Sequence, residues 1–272
     1  MRRVVLRVRD DAVEDVLDAL LPRLTDGVHE HAAGPGATEL HAHALTEPLP
    51  AREELVALAG PGLLSLDESD VPTGWHERRR SDGGGGVVIA GRLWLRSPLD
   101  PPAPGGLLDV VIERSTAFGT GAHPTTRMCL ALLAAIEPRG AFADLGCGAG
   151  ALAIAAALLG FEPVDAVDRD APSVDAAREN ARRNGVDVRT RALDLLCTPA
   201  PHARVVAANV PPAVHARVAE LLPGGVEYLI ASGIRPDARG GVLAAYASGG
   251  LRCAEEREEG GWLALALEPG DG

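Results

Sequence analysis

Asp144-Leu145-Gly146-Cys147-Gly148-Ala149-Gly150 decides how this chain is read: a short apolar strand runs into three alternating glycines and then directly into the helical run 151–159. Glycine lacks a Cβ, so such a turn takes positive φ and lets ligand atoms reach the main chain. The helix that follows offers N–H groups that have no partner inside the helix. An ordinary strand-to-helix connection looks much the same, so the weight of the motif comes from its flanks. Downstream, residues 163–167 predict a second strand ending at Asp168, 22 residues after Gly146. In doubly wound nucleotide folds an acidic side chain about 20 residues beyond the glycine turn meets a ribose hydroxyl pair, which makes Asp168 the expected ribose ligand. Asp165 and Asp170 read as turn acids.

Strand and helix then alternate. A helix is predicted over 173–184 with Gly185 as its stop, then strands over 186–193 and 204–208 and a helix over 214–222. A strand over 226–231 and a helix over 236–247 follow. This order predicts a parallel core. The last two strands, 251–257 and 262–268, flank Glu258-Glu259-Gly260-Gly261, a turn too short for a crossover, so they pair antiparallel. The fold class is α/β.

The spacing Gly146-x-Gly148-x-Gly150 departs from the dinucleotide fingerprint and resembles the first motif of class I S-adenosylmethionine-dependent methyltransferases. Upstream, Ala117-Phe118-Gly119-Thr120-Gly121-Ala122-His123-Pro124-Thr125-Thr126 resembles the Phe-Gly-Thr-Gly-x-His-x-Thr-Thr segment of the ribosomal protein L11 methyltransferase family. The similarity continues through residues 144–150, 167–170 and 176–185, Ala208-Asn209, Pro223-Gly224-Gly225 and Ser232-Gly233-Ile234, and spans roughly residues 107–272. It implies a Rossmann-like, seven-stranded sheet with an antiparallel terminal hairpin, preceded by a small ferredoxin-like domain for substrate recognition. It implies S-adenosyl-L-methionine as cofactor, contacted by Thr126, Gly146, Asp168 and Asn209. It further implies that Phe118, Gly119, Thr120, Asp144, Gly148, Gly150 and Asp194 belong to the same pocket, that Asn209 is the catalytic residue, and that the acceptor is an amino group of ribosomal protein L11.

Elementary chemistry agrees with the main assignments. Thr126 begins a helix, where hydroxyl and backbone donors face a carboxylate. Asn209 closes a strand at the carboxyl edge of the sheet, where its amide accepts from an amine and donates to a cofactor. His123 reads as structural rather than as a general base. Glutamine-directed methyltransferases set Pro-Pro directly after the acidic or amide residue and follow it with an aromatic ring. Here Val210 intervenes before Pro211-Pro212 and Ala213 replaces the aromatic, which sets that subclass aside. The double proline also departs from the usual residues of the L11 family, so the substrate stays more open than the chemistry. The alternatives are a relative acting on another protein or a small molecule, and a noncatalytic S-adenosylmethionine-binding protein.

A chain of 272 residues suits two modules. Residues 1–70 read as an N-terminal recognition domain of β-α-β-β-α order, with strands over 2–9, 27–31 and 38–45 and helices over 10–21 and 51–59. Residues 71–106 read as a linker: Gly83–Gly86 is a four-glycine run, and Pro98, Pro101, Pro102 and Pro104 crowd its far end. Trp75-His76-Glu77-Arg78-Arg79-Arg80 resembles the tryptophan-and-basic linker of the family. Residues 107–272 form the methyltransferase domain.

A net charge of −12 and a pI near 5.1 argue against a direct nucleic-acid partner and suit a basic protein substrate. All 26 basic side chains are arginine, which excludes automethylation on lysine. Cys129, Cys147, Cys197 and Cys253 are widely spaced, as in a reducing cytosol. No run approaches 18 apolar residues and Met1-Arg2-Arg3 leads into alternation, so the expectation is a soluble cytoplasmic protein without a membrane segment. His29 with His31, and His41 with His43, each share a strand face. They would meet around a metal only on neighbouring strands, and the expectation is solvent-facing histidines without metal.

Overall fold

In the computed structural model, which describes residues 2–20, 23–24, 28–33, 36–43, 49–70, 86–113 and 123–270, the chain divides into units Met1–Gly84 and Gly85–Gly272. In the first, strand β1 (Arg2–Arg9) puts Val4, Leu6 and Val8 on one buried face, as its period of two requires. Helix α1 (Val13–Leu20) buries Val13, Val16 and Leu20 along one stripe, and α2 (Arg52–Ala59) buries Leu55 and Ala59. These helices join β2 (Val28–Ala32), β3 (Ala37–His43) and β4 (Leu63–Asp70) in an antiparallel sheet of order β2-β3-β1-β4, the ferredoxin-like βαββαβ arrangement. The final strand is one more than the sequence reading contains. Among its described side chains only Leu66 is buried, and Leu64 is 53% exposed, so β4 carries almost no apolar alternation.

Strands β2 and β3 are neighbours, with His29 opposite His41 and His31 opposite Glu39, while His43 pairs with Arg3 of β1. The His41 Nε2 lies 2.9 Å from Glu39 Oε2. Among the described residues no group of three or more His, Cys, Asp or Glu side chains is placed to hold a metal.

The second unit begins with residues that the sequence assigned to the linker. The described linker residues form β5 (Val87–Ile89) and β6 (Leu93–Arg96), which join β7 (Leu108–Val111), just beyond the linker, in a three-stranded sheet of order β5-β6-β7. The prolines occupy the β6–β7 connection, while Leu93, Leu95 and Val110 are buried in the main core. Asp109 accepts two hydrogen bonds from Arg96, both 2.7 Å, which ties β7 to β6. Proline and glycine density marked the connection and hid these short strands. Residues 71–85, including Trp75–Arg80, lie outside the described residues.

Next come α3 (Pro124–Ala135), β8 (Phe142–Leu145), α4 (Ala151–Leu159), β9 (Val164–Asp168), α5 (Ala171–Arg183), β10 (Arg189–Ala192), β11 (Val205–Asn209), α6 (Pro212–Leu221), β12 (Tyr228–Ile234), α7 (Arg239–Ser248), β13 (Leu251–Glu259) and β14 (Trp262–Pro269). The sheet runs β10-β9-β8-β11-β12-β14-β13. The first five strands are parallel, and β14 runs antiparallel to both its neighbours. All four residues of β8 are buried because cores lie on both faces of the sheet, as a parallel sheet with helices on either side demands. Strand order reverses at β8, which opens a crevice at the carboxyl ends of β8 and β11. Among the described residues no helix is long and apolar enough to cross a membrane.

Candidate active site

The glycine turn is built as its sequence suggests. Gly146, Gly148 and Gly150 all have positive φ, at 72°, 50° and 83°. Two of them also need the missing side chain. A Cβ on Gly146 would lie 2.5 Å from Val210 Cγ1, and one on Gly150 would lie 3.0 Å from Ala177 Cβ. The turn is tied to β9 by hydrogen bonds from the Gly146 and Cys147 N–H groups to the Val167 carbonyl, 2.8 and 3.0 Å.

Asp168 ends β9 beside that turn. Its Oδ2 accepts from the Gly148 N–H at 2.9 Å and its Oδ1 from the Asp170 N–H at 3.0 Å. Each oxygen keeps a lone pair for a further donor such as a ribose hydroxyl. Asp144 lies one strand away and is fully buried, with Oδ2 accepting from the Ala153 N–H in the first turn of α4 at 3.0 Å. Burial, with a smaller contribution from the charge of Asp168, pushes its carboxyl up to about 7 against the pull of that N–H.

On the other side of the crevice, His123 caps α3: its Nδ1 accepts from the Thr125 N–H at 3.3 Å. The same nitrogen lies 2.7 Å from Thr125 Oγ1, which in turn is 3.1 Å from Asn209 Nδ2. Because Nδ1 accepts from the backbone N–H, it also accepts from the Thr125 hydroxyl. That hydroxyl therefore receives the Asn209 amide proton, and Asn209 Oδ1 is the end of the amide offered as an acceptor. Burial, reinforced by Arg127 and Arg235, lowers His123 to about 4, so the imidazole is neutral at physiological pH. Its ring stands edge-on to Trp262, 5.2 Å between centroids, and the Arg235 guanidinium lies 3.9 Å over the Trp262 ring. Thr126 is buried, and its Oγ1 has no hydrogen-bond partner among the described residues. A buried hydroxyl in that state fits a bound ligand's acceptor.

A second layer holds the Asn209 loop. Val210 N–H and His215 Nε2 both donate to the Ser232 carbonyl, at 3.0 and 2.9 Å, and His215 Nδ1 accepts from the Tyr246 hydroxyl at 2.8 Å. Gly233, at φ +82°, passes so close that an added Cβ would sit 2.4 Å from the Val210 carbonyl oxygen. No motif pointed to His215 or Tyr246, since both come from helices on a face that reads as plain core. Asn180 was also missed as an individual residue, although it lies within the 176–185 segment.

Gly146, Gly148, Gly150, Asp144, Asp168, Thr126 and Asn209 are thus brought to one edge of the sheet. Asp194 is exposed on the turn after β10, where its Oδ1 accepts from the Leu196 N–H at 2.9 Å. Phe118, Gly119 and Thr120 lie outside the described residues.

The sequence profile described as "Ribosomal protein L11 methyltransferase (PrmA)" matches residues 87–269. This chain belongs to that family. A ribosomal protein L11 methyltransferase of Geobacter metallireducens is 35% identical over 221 residues, covering 79% of this chain and 71% of the relative. Its namesake in Myxococcus xanthus is 34% identical over 227 residues, covering 80% and 76%. A crystal structure of ribosomal protein L11 methylase from Lactobacillus delbrueckii subsp. bulgaricus superposes with a TM-score of 0.60 at 25% identity, over 69% of this chain and 100% of that one. The family match opens at β5, so the sheet β5–β7 lies within the matched residues.

Proposed function

We propose that this chain is an S-adenosylmethionine-dependent protein N-methyltransferase that methylates amino groups of ribosomal protein L11 in the cytoplasm. The observation that carries the reading is the Asn209 amide, held by Thr125 at the carboxyl end of β11, beside the glycine turn and two strands from Asp168. The residues present fit the cofactor. Thr126 Oγ1 and the glycine turn would hold its methionyl end, Asp168 its ribose, and Asp194, one strand further out, the side of the adenine. When bound, the sulfonium supplies an electrophilic methyl group for in-line displacement.

The protein's work is to align a neutral amine and keep water out, an effect of proximity and orientation. Asn209 Oδ1 accepts one N–H of the incoming amine and so turns its lone pair toward the pocket. The acceptor must reach the site deprotonated. His123 does not take its proton, because the Thr125 N–H and hydroxyl both donate to Nδ1 and burial opposes the charged form. The −12 net charge favours encounter with a basic protein.

The test is the intact mass of unmethylated ribosomal protein L11 after incubation with enzyme and S-adenosylmethionine, with Asp168→Ala as control. Gains in whole methyl increments, absent with the variant, support the reading. Cofactor binding without any gain moves the substrate elsewhere, and absence of cofactor binding overturns the reading.

A further inference from the structure

We propose that Asn180 is a positioning residue for the cofactor turn: it locks the Gly148-Ala149-Gly150 backbone to the chain at Glu113. The inference rests on the cofactor reading above. Asn180 lies on α5 and is 2% exposed. Its Oδ1 accepts from the Glu113 N–H at 3.0 Å, and its Nδ2 donates to the Ala149 carbonyl at 3.0 Å. One partner is a backbone donor and the other a backbone acceptor, so the amide fits in one orientation only. The two partners lie 67 and 31 residues away in sequence, and no other described side-chain hydrogen bond joins these two segments.

The position of Ala149 gives this bond its meaning. On one side Gly148 donates to Asp168, and on the other Gly150 sits at φ +83° against Ala177, one turn before Asn180 on the same helix. Helix α5 therefore supports the turn at two points, by contact under Gly150 and by a hydrogen bond to Ala149. A buried amide is costly unless both ends are paired, and an apolar side chain would fill the same space without fixing the height of the turn.

Asn184, one turn further on, supplies an internal control. Its Oδ1 accepts from the Val111 N–H at 2.8 Å, and its Nδ2 donates to the Val111 and Asn180 carbonyls, both 2.7 Å. It braces the same incoming strand but makes no hydrogen bond to the glycine turn. Loss of either amide weakens the support of residues 111–113, and only loss of Asn180 releases Ala149.

Calorimetry with S-adenosylhomocysteine, paired with thermal unfolding of the unliganded protein, distinguishes the two roles. Asn180→Ala is expected to raise Kd about tenfold, and Asn184→Ala less than about twofold, although both lower Tm by a few degrees. Asn180→Asp keeps the acceptor for Glu113 but cannot donate to Ala149. It should weaken binding as Asn180→Ala does, and it carries the test should the alanine variant not fold. Amide exchange should accelerate at Gly150 and Glu113 together in Asn180→Ala, at Gly150 with Glu113 still protected in Asn180→Asp, and at Val111 but not Gly150 in Asn184→Ala. Equal Kd changes for Asn180→Ala and Asn184→Ala, or none in either, would overturn the inference while leaving the cofactor reading intact. Wild-type protein that does not bind S-adenosylhomocysteine would overturn both.

Discussion

Among the described residues each unit has its own buried apolar cluster, yet the two differ sharply in what else they bury. Among the described residues of the first unit the only buried polar side chain is Thr38, paired with Asp10 at 2.8 Å. The second buries Thr125, Thr126, Asp144, Ser173, Asn180, His215 and Ser232. Most of these gather under the carboxyl ends of β8, β9, β11 and β12. Polar burial costs free energy unless each group is paired, so a fold carries it where geometry must be held. The first unit is built by apolar spacing, and the second adds a hydrogen-bonded framework that sets the place of a few acceptors and donors.

The contrast breaks or sharpens under four measurements. The largest effect is a pH dependence confined to the second unit. Folding raises the Asp144 carboxyl from its ordinary value to about 7, so the folded chain holds a proton that the unfolded chain releases. The stability of the second unit therefore falls as pH rises from about 4 to 7 and levels above that, by on the order of 4 kcal/mol at most. Asp144→Asn, which still accepts from Ala153, should flatten that profile in denaturant titrations followed by tryptophan fluorescence.

Leu40→Ala empties a fully buried site in the first unit, and should cost about 3 kcal/mol there while leaving the Kd for S-adenosylhomocysteine unchanged. A changed Kd would mean that the two units do not act independently. Asn209→Ala should lower kcat about 100-fold with cofactor Kd held within about twofold, measured by single-turnover kinetics and calorimetry. Asp168→Ala should do the reverse, raising Kd about 30-fold by calorimetry. An unchanged affinity would remove Asp168 from the cofactor site.

Much of this was legible in the residues. The glycine turn, Asp168 at the end of the next strand and Asn209 at the end of another are local patterns, since each lies at a junction that strand and helix periodicity identifies. The short strands β5–β7 were not legible, because each is only three or four residues long and they are set between the four-glycine run and the proline cluster or directly after it, so the buried positions Ile89, Leu93, Leu95 and Val110 never build a recognisable period. Strand β4 escaped for the opposite reason, as an edge strand with one buried residue. The Asn180 bridge and the His215–Tyr246 pair could not be read at all. Each joins segments far apart in sequence through a single side chain, and neither leaves any periodicity behind.

By itself the sequence determined the class of the fold and set the glycine turn, Asp168 and Asn209 at strand ends along one edge of the sheet. Backbone freedom at glycine, apolar period and strand-end position are all properties of neighbouring residues. Only the tertiary structure decided which end of the Asn209 amide faces the pocket, which nitrogen of His123 is occupied, and that Asp144 holds its proton near neutrality. Those properties depend on partners brought together across the sheet and on the exclusion of water, and no stretch of sequence contains either.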